Sequence, residues 1–88
     1  MLVAALAVLL GLLVKLESRE WVILVLTIAG VLTLELINTS LEAIVNMISP
    51  GQSTGAKIAK DTAAAAVVIG AITSVVIGLI LFVPKLIR

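Results

Sequence analysis

The chain has 88 residues, a net charge of +1 and a mean hydropathy of +1.38, with 62% apolar and only 12% charged residues. A soluble domain of this length cannot hide so much apolar surface, so a bilayer is its natural solvent, with room for at most about three or four spans. Without Cys or His, disulfides, thiol and imidazole catalysis and the usual zinc and haem ligands are excluded, and no basic patch with interleaved aromatics points to nucleic acid.

The first apolar segment, MLVAALAVLLGLLV (residues 1–14), has neither a basic region before it nor a small-residue cleavage site after it, so it does not read as a signal peptide. As a helix it rises only about 21 Å against a hydrocarbon core of about 30 Å. It reads as the inner part of a truncated span. The connector KLESRE (15–20) carries both charge signs. Trp21, an interfacial residue type, opens a second span over 21–48, which Pro50 and Gly51 stop. A Gly/Ser/Thr-rich loop over 49–60 leads to a third span, 61–84, which closes at Pro84, Lys85 and Arg88. Ala66, Gly70, Ser74 and Gly78 repeat every fourth residue along it and suit close helix packing. The fold expected is all-α: an integral-membrane bundle with three transmembrane helices in up-down-up order, short enough to require an oligomer.

The second span contains ELINTSLEAIVN (35–46). At about 100° per residue, Glu35, Asn38, Thr39, Glu42 and Asn46 share roughly 100° of arc, and apolar residues cover the rest. If Trp21 marks one interface, Glu35 lies about 21 Å along the helix, and Glu42 about 32 Å along, at the far interface. An ion within the hydrocarbon costs about 2.5–3.5 kcal/mol or more, so a seam that only sets helix register is a poor explanation for two aligned carboxylates. A deep carboxylate suits a general base toward an alcohol. One at the interface suits Mg²⁺, which takes oxygen ligands and bridges to phosphate. Lys60 and Asp61 are expected at the same membrane face, where Lys60 can neutralise phosphate and Asp61 can cap the third helix or touch a nucleotide. Base, metal ligand and lysine together match phosphoryl transfer, with a lipid alcohol as acceptor. Neither a P-loop nor a protein-kinase glycine loop is present.

ELINTSLEAIVN followed by AKIAKD resembles the signature of the small bacterial membrane kinases, diacylglycerol kinase and undecaprenol kinase. The run SREWVILVLTIAGVLTLELINTSLEAIV resembles the Gram-positive undecaprenol kinase branch more closely. The resemblance implies a homotrimer in the bacterial inner membrane, with active sites shared between subunits and facing the cytoplasm. It implies ATP- and Mg²⁺-dependent transfer to undecaprenol or, alternatively, to diacylglycerol. Carried over by position, Glu35 is the base that also touches the lipid hydroxyl, Asn38 lies beside it, and Glu42 is the metal ligand. Glu42, Gly51, Gln52, Ser53, Lys60 and Asp61 are the nucleotide-binding positions. The chain departs from the family in three places. The family's amphipathic surface helix is absent before the first span. Asn46 stands where Asp is usual. Gly51-Gln52-Ser53 replaces a loop that commonly reads E-Y-H, which leaves weaker or backbone-only nucleotide contacts. Counting positive charges alone would put the 49–60 loop outside; the chemistry puts it in the cytoplasm, where ATP is. The more distant alternatives are a proton-translocating proteolipid and an inactive truncated homologue.

Overall fold

A computed structural model describes residues 2–51 and 53–87. Gln52, one of the expected nucleotide contacts, lies outside the described residues, as do Met1 and Arg88. The described chain is all-α: α1 (Leu2–Val14), α2 (Ser18–Ile48) and α3 (Thr54–Leu86).

The turn out of α1 follows from backbone chemistry. Lys15 adopts a left-handed conformation, φ 58°, and the Leu16 N–H reaches back 3.2 Å to the Gly11 carbonyl. This is the Schellman closure with lysine in the place usually held by glycine. The left-handed backbone costs roughly 1–2 kcal/mol for a residue with a Cβ. A cation beside the helix carbonyls offsets part of that. Leu16 thereby turns inward and is buried.

α2 starts at Ser18, three residues before the span expected from Trp21. The reason is a capping box: the Glu17 N–H donates to the Glu20 carboxylate at 2.9 Å. The ring of Trp21 then lies over Gly11. A Cβ on Gly11 would stand 2.9 Å from Trp21 Cη2 and 3.0 Å from Leu16 Cδ1.

At its other end α2 stops at Ile48, where the Ser49 N–H still reaches the Val45 carbonyl at 2.8 Å. The loop expected over 49–60 is shorter. Ser53 caps α3, its Oγ accepting the Ala56 N–H at 3.1 Å, so residues 54–60 are already helical. Lys60 and Asp61 therefore sit in the second turn of α3, and the cap is Ser53, not Asp61. α3 also runs past Pro84 to Leu86. So close to the end, proline forfeits only the bond to the Ile80 carbonyl.

α2 and α3 have 31 and 33 residues, about 46 and 50 Å of helix. Both are long and apolar enough to cross a membrane, and each exceeds the hydrocarbon core of about 30 Å. α1, with 13 residues, is too short to cross alone. The helices build a rod whose longest dimension is 54 Å.

Two contacts fix how α2 lies against α3. At one end, Leu16, Leu24, Leu81 and Phe82 form the core, with Trp21, Ile28 and Ile77 packed on it. Lys85 Nζ there meets Glu20 Oε1 at 3.0 Å, with both side chains mostly covered. Further along, the side chain of Leu34 enters the notch at Gly70, where a Cβ would lie 2.6 Å from Leu34 Cδ1. Within one chain the four-residue stripe on α3 is thus only partly packed. Gly70 takes Leu34, Ser74 and Gly78 are half-buried, and Ala66 is exposed. Ala66 is exposed because the buried face of α3 follows Ala63, Val67, Gly70, Ser74, Ile77 and Leu81, the alternating three-and-four spacing of a helix seam.

Most large apolar side chains, Leu36, Ile37, Ile69, Ile72 and Ile80 among them, remain exposed on this single chain, as expected of helices that face lipid or further subunits. Because the rings and Leu16 close over Gly11, Gly11→Leu is expected to overpack the junction by about 1–3 kcal/mol. The check is thermal unfolding in micelles together with the emission of Trp21, the lone tryptophan. The midpoint should fall and the emission should shift to the red.

Candidate functional site

The register set by Leu34 on Gly70 places the polar residues. The two helices are antiparallel, so moving nine residues toward the turn along each brings Asp61 level with Ala43 and Lys60 level with Ile44. Lys60 and Asp61 therefore stand one half-turn or less from the height of Glu42. Glu35 lies two helical turns deeper, about 10 Å from Glu42 along the axis.

Glu35 lines a groove of about 350 Å³ formed by all three helices. Its walls are almost wholly apolar, including Ala4 and Ala7 from α1, Ile28 and Val31 from α2, and Gly78 and Phe82 from α3. Thr27 and Ser74 are the other polar side chains in it. The Thr27 hydroxyl already donates to the Ile23 carbonyl at 2.7 Å, and Ser74 to Ala71 at 2.7 Å. Among the described residues no hydrogen bond or ion pair engages Glu35, so both of its carboxylate oxygens are open to a ligand. A long apolar cleft with one carboxylate at its edge can hold a hydrocarbon chain and meet a polar head.

Asn38 and Glu42 act as a pair: Asn38 Nδ2 donates to Glu42 Oε1 at 3.3 Å. Asn38 is half-buried beside α3, and its Oδ1 is buried without a partner. Such an orphaned acceptor is costly, and functional sites are where such costs collect. Glu42, Thr39 and Asn46 are exposed. Among the described residues no group of three or more acidic side chains gathers as a metal centre. The donor set still fits Mg²⁺ in its usual protein form, with one or two carboxylates and the remaining positions on phosphate and water. Glu42 would be the one carboxylate here.

A second pocket, of about 220 Å³, lies at the turn end and is lined by Gly51, Ala56, Lys57, Lys60 and Asp61. Three expected nucleotide positions (Gly51, Lys60 and Asp61) thus share one pocket. Ser53 does not line it and serves as the α3 cap. Lys57 does line it and was not among the expected site residues. Its signal was the three-residue spacing of the lysines in AKIAK.

The family model for prokaryotic diacylglycerol kinase matches residues 1–82. The chain is 49% identical over 84 residues to the undecaprenol kinase of Bacillus subtilis, covering 94% of this chain and 68% of that protein. It is 46% identical over 76 residues to a diacylglycerol kinase of Synechocystis, covering 84% of this chain and 43% of that protein. No solved structure matches.

The unsatisfied Oδ1 of Asn38 carries a stability cost of about 1–3 kcal/mol. Asn38→Leu should therefore raise the thermal midpoint in micelles, although it removes a hydrogen bond. A lowered midpoint would mean that the Glu42 contact outweighs the orphaned acceptor.

Proposed function

The chain belongs to the prokaryotic diacylglycerol kinase family, and from that premise we propose that it is a membrane phosphotransferase that moves the γ-phosphoryl group of ATP to the hydroxyl of undecaprenol. The observation that carries the reading is the vertical order of the groups. An apolar groove ends at Glu35, and Glu42, Lys60 and Asp61 share one level two turns nearer the helix turn. That is the order in which a lipid tail, its hydroxyl and a nucleotide phosphate would meet at a membrane face.

In this reading the lipid chain lies in the groove and its hydroxyl reaches Glu35. Glu35 accepts the hydroxyl proton as the oxygen bonds to the γ-phosphorus and the bridging oxygen leaves with ADP. Asn38 orients the Glu42 carboxylate through the hydrogen bond between them. Glu42 holds Mg²⁺, which when bound neutralises phosphate charge. Lys60 neutralises further charge, and Asp61 and the backbone at Gly51 face the nucleotide. The 49–53 turn then lies in the cytoplasm of a bacterial cell, with the second and third membrane segments within α2 and α3. Undecaprenol is favoured over diacylglycerol by the higher identity to the undecaprenol kinase across nearly the whole chain. The proteolipid alternative lapses with membership of the kinase family.

A homotrimer with sites shared between subunits fits the same picture. One chain exposes most of its large apolar side chains, and α1 is too short to cover Thr39, Glu42 and Asn46.

Glu35→Gln keeps the shape of the side chain and removes the base. We expect phosphate transfer to lipid to fall by about 10²-fold or more, with unfolding temperature and oligomeric state unchanged. Glu42→Gln should instead raise the Mg²⁺ concentration needed for half-maximal rate. A Glu35→Gln protein with near-normal transfer would sink the assignment.

A further inference from the structure

We infer that Lys57 is a second phosphate ligand, holding a polyphosphate together with Lys60 from the same face of α3. The inference rests on the kinase reading, extends it by a residue, and is carried by the pocket at the turn end of the bundle.

Lys57, Lys60 and Asp61 line that pocket together with Gly51 and Ala56. At about 100° per residue, Lys60 lies about 60° to one side of Lys57 and Asp61 about 40° to the other, so all three occupy one face of α3. Gly51, in the turn before α3, also lines it and has nothing within 4 Å of where a Cβ would be, so that part of the lining is backbone beside open space. The walls therefore hold two cationic groups and one anionic group around a space of about 220 Å³.

The lysines have no partner that accounts for them. Among the described residues the ion pairs are Arg19 with Glu17 and Lys85 with Glu20, both at the other end of the bundle. Lys57 and Asp61 are four apart on the helix and do not pair. Lys57 is the fourth residue of α3, at the edge of the first turn, where the helix dipole disfavours positive charge. Two unpaired cations walling one pocket, one of them beside a helix N-terminus, are stabilised by an anion bound between them. The phosphate could belong to a nucleotide or to a lipid headgroup in the same interface. The position of the pocket, beyond Glu42 toward the turn, favours the nucleotide.

The test uses the full chain in zwitterionic micelles, with inorganic tripolyphosphate as probe and calorimetric titration as readout. Lys57→Gln should weaken tripolyphosphate binding about tenfold, as expected for one charged contact, and Lys57→Arg should restore it to within about twofold. The KM for MgATP should rise by a similar factor, with kcat little changed. Unchanged tripolyphosphate affinity in Lys57→Gln overturns the inference. So does a loss confined to binding of vesicles containing phosphatidylglycerol, which would assign Lys57 to lipid headgroups. A wild-type chain that binds tripolyphosphate through Lys57 yet labels no lipid leaves the ligand assignment standing and removes the kinase reading. A wild-type chain that labels lipid, with Lys57→Gln normal in both assays, does the reverse.

Discussion

The height at which the polar groups of α2 and α3 face each other rests on one close steric contact among several, the side chain of Leu34 in the notch at Gly70. Two long apolar helices in lipid have little hydrophobic reason to prefer one register over another. A large residue seated on a residue without a side chain supplies a steric reason. Slipping α3 by one turn would move Lys60 and Asp61 about 5 Å along the axis, away from the level of Glu42. The ion pair between Glu20 and Lys85 and the cluster around Leu24 and Phe82 hold the same register from the far end.

The two ends of the bundle are built differently. At the α1–α2 junction, side chains close over one another: Trp21 covers Gly11, Leu16 turns inward, and the charges pair. Toward the α2–α3 turn, polar groups are left open, with Asn38 Oδ1 unsatisfied and Lys57 and Lys60 unpaired. The buried apolar cluster and the ion pairs lie at the α1–α2 end. Unfilled polar capacity is concentrated where a nucleotide would arrive. The groove that ends at Glu35 joins the two.

Much of this was legible in the residues alone. The polar face of α2 could be found because helical geometry converts the spacing of Glu35, Asn38, Glu42 and Asn46 directly into a direction, independent of any partner. The start of α3 was harder to place. Gly, Ser and Thr around position 54 suggest a loop by composition, whereas Ser53 needs only one backbone N–H to cap a helix there. The stripe through Ala66 coincides only partly with the seam inside one chain, because four-residue spacing drifts around a helix whereas that seam alternates threes and fours. Lys57 left only the three-residue spacing of the lysines in AKIAK as a signal; that it shares a pocket with Gly51 depends on the turn before α3. The Asn38–Glu42 bond could be anticipated from their four-residue spacing; the buried, partnerless Oδ1 shows only in the folded chain.

The most direct measurement of the central claim is transfer of labelled γ-phosphate from ATP by the purified chain in micelles, with undecaprenol and diacylglycerol offered side by side. The account predicts Mg²⁺-dependent label in the lipid phase, with undecaprenol preferred. Label that stays entirely in water while the chain remains folded would contradict it.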